Sequence, residues 1–161
     1  MSEKLNLIGL NVKKSGELAE ELNSLLANYH IFYQNLRGFH WNIRGKNFFE
    51  LHLKFEELYT DALTKIDELA ERILTLGNTP LHSFSDYLDH SDIKEATDIS
   101  EDKKAVETVL KNLSVLIQKE RKILSLSGDA EDEGTTSLMS DYIKEQEKTV
   151  WMLSSWLNEE K

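Results

Sequence analysis

Four side chains in one stretch have the types and the spacing to hold a metal ion. Within Phe49–Gly77, FELHLKFEELYTDALTKIDELAERILTLG, His52 and Glu56 lie four apart, as do Asp67 and Glu71. On a helix each pair projects side by side. Imidazole and carboxylate together suit a borderline divalent metal such as iron, manganese or zinc. Yet Glu56 and Asp67 are eleven residues apart, which is ~16 Å along a helix axis, so one helix cannot bring both pairs to one ion. Two copies can. Paired antiparallel about a two-fold axis midway between Asp61 and Ala62, His52 meets Glu71 of the partner subunit and Glu56 meets Asp67 of the partner subunit. Phe49 and Leu53 then face Leu74 and Ala70 of the partner subunit, so one isologous interface would bury apolar residues and create two equivalent sites. The ordinary alternative is that polar residues bordering an apolar stripe are solvated; four that fit one symmetry, with His40 upstream, weigh against it.

The element that must carry these residues is an amphipathic helix. At ~100° per residue, Lys54, Glu57, Asp61, Thr64, Lys65, Glu68, Arg72 and Thr75 share a polar arc. Phe55, Leu58, Tyr59, Ala62, Ile66, Leu69, Ile73 and Leu76 lie opposite, and Gly77 is placed to cap the end. Upstream, Met1–Lys14 has no sustained period and reads as a tail. Ser15 is a plausible N-cap for a helix to about Ile43, with Leu18, Leu22, Leu25, Tyr29, Phe32, Leu36 and Phe39 as its stripe. Residues 78–100, with Pro80 and the apolar Phe84, Tyr87 and Leu88, have the length of a crossover carrying a small helix. Ser100 can cap a third long helix with Val106, Val109, Leu113 and Leu116 inward, ended by Gly128. The acidic loop GDAEDEG then leads to a fourth from Thr135. The expectation is an all-α chain, one domain over residues 1–161, built as a four-helix bundle with one long crossover.

Composition narrows the function classes. A formal net charge of −10 argues against a nucleic-acid-binding surface, which needs a basic stripe, and suits a protein that attracts cations. With no cysteine there is no thiolate metal site. No run approaches the roughly eighteen apolar residues of a membrane span, so a cytoplasmic protein without membrane partners is expected.

No histidine has Glu or Asp three residues before it, so the Glu-x-x-His pairs common inside di-iron bundles are missing. The segments NLRGFHWNIRGKNFFELHLKFEELY, KIDELAERILTLG and the terminal KTVWML resemble the Dps family, DNA-binding proteins from starved cells or mini-ferritins, over nearly the whole chain. The resemblance implies a ferritin-like four-helix bundle whose crossover carries a short helix. It implies a ferroxidase site at a two-fold interface, with His40, His52 and Glu56 from one chain and Asp67 and Glu71 from the other. It implies a hollow homo-oligomer, a dodecamer of tetrahedral symmetry, that oxidises iron(II), usually with hydrogen peroxide, and keeps the iron(III) mineral inside; zinc or manganese could also occupy the site. Trp41 beside His40 would shield the site or quench oxidising equivalents, or simply pack at an interface. Asp129, Glu131, Asp132 and Glu133 would line a three-fold pore or form a solvated loop. His30, His82 and His90 match no role. DNA binding in the family often depends on a lysine-rich arm; here Lys4, Lys13 and Lys14 sit beside Glu3 and Glu17, and the chain ends NEEK. Weak or absent DNA binding is therefore expected. The rival function is a structural, DNA-condensing nucleoid protein in which metal plays a minor part.

Overall fold

The apolar stripes become four long helices and one short one in the computed structural model, which describes residues 3–158. The helices are α1 (Val12–Asn42), α2 (Phe48–Thr75), α3 (Phe84–His90), α4 (Asp102–Asp129) and α5 (Glu133–Trp156), and no strand forms among the described residues. Short connections make α1 and α2, and α4 and α5, antiparallel neighbours; α1 also packs on α4, and α3 lies against α1. The core is the expected one: Leu18, Leu22, Leu25, Tyr29, Phe32, Leu36 and Phe39 of α1 meet Phe55, Leu69 and Ile73 of α2 and Val106, Val109, Leu113 and Leu116 of α4.

The boundaries differ from expectation where a cap depends on what the chain does next. Asn11, not Ser15, starts α1, its side chain accepting from Lys14 N at 2.9 Å; Ser15 is buried. The segment before it is no free tail. Val12 N donates to Lys4 O, and Asn6 Oδ1 accepts from Leu10 N, so residues 4–11 fold back as a turn around Gly9 at φ +80°. Met1, Ser2 and the terminal Glu159, Glu160 and Lys161 lie outside the described residues. Gly77 does cap α2: at φ +83° it lets Asn78 N reach Ile73 O and its own N–H reach Leu74 O, the paired bonds of a Schellman motif. Glu101 rather than Ser100 precedes α4, and Gly128 lies inside that helix. The left-handed position after it falls on Glu131, φ +57°. Asp132 then caps α5, which starts at Glu133, two residues before the expected Thr135.

Two further groups were misplaced by periodicity. Lys65, on the expected polar arc, is 3% exposed, because α5 packs over that arc and supplies Glu145 at 2.9 Å alongside Asp61 one turn back. Glu68 is half-buried and accepts from Tyr142 Oη at 2.8 Å. The crossover is fastened by asparagines of α1. Asn28 Oδ1 accepts from the N–H groups of Asp92 and Ile93, and Asn35 accepts from Ala96 N and donates to Lys94 O. Both side chains are buried, so they satisfy main-chain groups that water does not reach.

Candidate metal centre

His40 lies in the last turn of α1 and His52 in the first turns of α2, and the short connection between the helices folds the two rings together. They stack with centroids 3.8 Å apart and planes 11° from parallel. His40 Nδ1 lies 2.6 Å from His52 O, and His52 Nδ1 lies 2.7 Å from His40 O. A carbonyl oxygen only accepts, so both Nδ1 atoms donate. That fixes the tautomer of each neutral ring and leaves Nε2 with its lone pair free for a ligand. Phe48 stacks on His52 with centroids 4.9 Å apart, and Tyr59 sets its edge to His40 at 5.3 Å. The pair is therefore held rigidly: His40 is 8% exposed and His52 half-buried.

Glu56 is one turn beyond His52 and exposed; Asp67 and Glu71 are exposed on the same edge of α2 farther along. Within one chain the structure unites only the two histidines; Glu56 follows one turn after His52 on α2, and Asp67 and Glu71 are not brought to them. Among the described residues no group of three or more metal-ligating side chains comes together. Each chain thus presents two separated half-sets. The surface around them is apolar: Phe49 is 84%, Leu53 64%, Leu74 57% and Leu63 52% exposed. Such large side chains crowded on one helix edge mark a surface that is covered in use.

Residues 19–161 match the ferritin-like domain family. The DNA protection during starvation protein of Porphyromonas gingivalis is 42% identical over 156 residues, covering 97% of this chain and 98% of that protein. A second such protein, from Bacillus anthracis, is 37% identical, covering 89% and 98%. The crystal structure of a Dps protein from Vibrio cholerae O1, described as a member of a broad superfamily of ferritin-like diiron-carboxylate proteins, superposes with a TM-score of 0.94. It is 57% identical and covers 98% of this chain and 99% of its own. The chain belongs to the Dps family. Its bundle is ferritin-like, in a family concerned broadly with iron storage or DNA protection.

In this Dps chain the remaining candidates fall in different places. Trp41 is 56% exposed and lies under the Arg37 guanidinium at 4.6 Å; the aromatic rings against the histidine pair are Phe48 and Tyr59. Sequence reading passed over both, although Phe48 stands four residues before His52 and Tyr59 seven after it. Of the acidic loop, Asp132 must be withdrawn as a pore residue. It is 2% exposed, its Oδ1 accepts from Thr135 N at 3.0 Å, and Arg72 pairs with it at 2.6 Å. Asp129, Glu131 and Glu133 are exposed. His82 lies before α3, so its four-residue spacing to Asp86 is not a helical one; its Nδ1 faces Pro80 O. His30 stacks on Tyr87 with centroids 3.8 Å apart, and burial pushes its pKa down to about 4.

Proposed function

We propose that this Dps protein oxidises ferrous iron, its substrate, at sites each shared by two chains, and stores the ferric product in a hollow dodecameric shell in the cytoplasm. The observation that carries this reading is the locked histidine pair. Two imidazoles have both Nδ1 hydrogens committed to the main chain, on an apolar-bordered edge whose other two carboxylates lie too far away to join them. Antiparallel pairing of two α2 helices, with the axis midway between Asp61 and Ala62, sets His40, His52 and Glu56 against Asp67 and Glu71 of the partner subunit. The same pairing covers the exposed Phe49, Leu53, Leu63 and Leu74.

The residues divide the work by their chemistry. Neutral Nε2 atoms suit the incoming iron(II), while hard carboxylates favour iron as its charge rises. Stabilising product over reactant in this way drives the oxidation. Two ferrous ions each give one electron to hydrogen peroxide; the O–O bond breaks, two protons are taken up and two waters leave, so no hydroxyl radical is released. Zinc or manganese would compete for the same donors. Asp129, Glu131 and Glu133 would line a pore that draws cations inward.

A second reading, DNA condensation, has the relatives' names in its favour. The charge of −10 and the few N-terminal lysines oppose it: Lys14 Nζ is tied to Asp129 O at 3.0 Å, and counterion release needs several phosphate contacts. One preparation separates the two. Anaerobic iron(II) titration followed by stoichiometric peroxide should show saturable binding, then ferric product that stays with the assembled protein on sizing. No saturable binding, with ferric precipitate outside the protein and a salt-sensitive shift of duplex DNA, would favour the DNA reading instead.

A further inference from the structure

At the centre of the bundle, away from the α2 edge, a carboxyl group is enclosed without a counter-ion. Glu120 of α4 is 0% exposed, Tyr29 of α1 1% and Gln146 of α5 5%. Gln146 Nε2 donates to Tyr29 Oη, and Tyr29 Oη donates to Glu120 Oε2 at 3.2 Å. Two oxygens have no partner and no water access: Glu120 Oε1 and Gln146 Oε1. Orphaned buried acceptors are costly, and two of them in one cluster need a common cause.

One hydrogen answers for both. Gln146 and Glu120 are joined through the Tyr29 hydroxyl, and each has one oxygen left over. A proton on Glu120 Oε1, donated to Gln146 Oε1, would close a ring of three bonds through Tyr29. Exchanging the amide oxygen and nitrogen of Gln146 does not do as well. Glu120 Oε1 would gain a donor, but the single Tyr29 hydrogen would then have to serve both Glu120 Oε2 and the amide oxygen. We propose that Glu120 is a neutral carboxylic acid in the folded protein, closing this ring, and that losing its proton is a pH-sensitive switch that loosens the bundle.

The groups facing Glu120 leave it without a neutralising contact. From α2, Lys65 acts on it as a cation, but that ammonium is held by Asp61 and Glu145. On α4 itself, Arg121 turns outward to Glu147 at 2.9 Å. From α5, Tyr142 gives its hydroxyl hydrogen to Glu68 of α2, and from α1 Tyr29 offers one neutral bond. Desolvation accordingly outweighs these helpers and lifts the Glu120 pKa to about 8. The folded state holds the proton where the unfolded chain has released it. Stability is thus fullest below the ordinary carboxylate pKa of 4.5 and is lost as pH rises toward about 8. Ionisation would leave a carboxylate facing the Gln146 oxygen and part α4 from α5 and α1. The inference does not depend on iron chemistry.

Glu120→Gln tests it on the assembled protein, because an amide can close the same ring without titrating. Thermal unfolding of the wild type from about pH 5 to about pH 9 should show a falling Tm, and Glu120→Gln should fall less and overtake it at the alkaline end. Infrared spectra of the wild type at about pH 7 should contain the carbonyl stretch of a protonated carboxylic acid, which fades toward about pH 9 and is absent in the variant. A wild-type spectrum without that band at neutral pH overturns the proposal, even if the variant does not fold. Parallel Tm profiles for the two proteins overturn it equally.

Discussion

Phe49→Ala is the perturbation that probes the α2 edge as an interface. Phe49 is 84% exposed within its own chain, its ring set 5.3 Å from that of Phe48, so the fold of the single chain should tolerate its loss. Alanine is also the better helix former. A phenylalanine offers roughly 200 Å², of which ~170 Å² is open here, and alanine would keep about a third of that. At ~25 cal/mol/Å² the change removes ~3 kcal/mol per copy if burial is complete, and an isologous pair loses it twice. Incomplete burial halves the figure, so association should weaken by ~3–6 kcal/mol, or ~10²–10⁴-fold. Sedimentation velocity across a dilution series reads this directly. The variant should break into smaller species at concentrations where the wild type stays assembled. Leu7→Ala is the control: Leu7 is fully exposed, but on the N-terminal turn. Identical dissociation of Phe49→Ala and wild type would refute the reasoning, as would an equal effect in the control.

Two other predictions concern the single chain. A Cβ at Gly134 would stand 2.7 Å from Arg72 Nη1, so Gly134→Ala should push the guanidinium off Asp132 and Thr135 and cost ~1–3 kcal/mol in thermal unfolding. Adding Arg72→Ala to that variant should cost little more, since both remove one clamp. His30 stays neutral when folded down to about pH 4, whereas its unfolded imidazole takes a proton near 6.5. Its contribution therefore falls as pH drops through that window, and His30→Phe, which keeps the stack on Tyr87, should flatten the acid side of a urea-unfolding series. A variant curve parallel to wild type would remove His30 as a cause of acid lability.

The helices and the half-sets of ligands were legible because both are matters of angle around one axis. The stripe of α1 and the His52–Glu56 and Asp67–Glu71 spacings need nothing but the helical repeat. What lies across from a helix face is not written in that repeat. Lys65 belongs to a polar arc by angle, yet α5 packs over it, and it tolerates burial because Asp61 and Glu145 can reach it. Asp132 looked like one of several loop acids, but the tight turn at Glu131 sends it inward to Arg72. The crossover hides its main-chain groups only because Asn28 and Asn35, which the apolar stripe of α1 does not single out, point at it. The mutual locking of the two Nδ1 atoms likewise depends on how closely the last turn of α1 and the first turns of α2 meet.

The central claim is that each site takes ligands from two chains, and mixing damaged chains measures it most directly. His52→Ala chains lack the imidazole half and Glu71→Ala chains lack a carboxylate half. When the two are unfolded, mixed in equal amounts and reassembled, an interface between unlike chains holds one undamaged site and one doubly damaged site. Random pairing makes roughly a quarter of all sites intact. With mixed assembly verified by native mass spectrometry, peroxide-driven iron(II) oxidation should rise from the low level of either parent to roughly a quarter of the wild-type rate. Mixed assemblies of full size that oxidise iron no faster than the two parents would contradict the shared site.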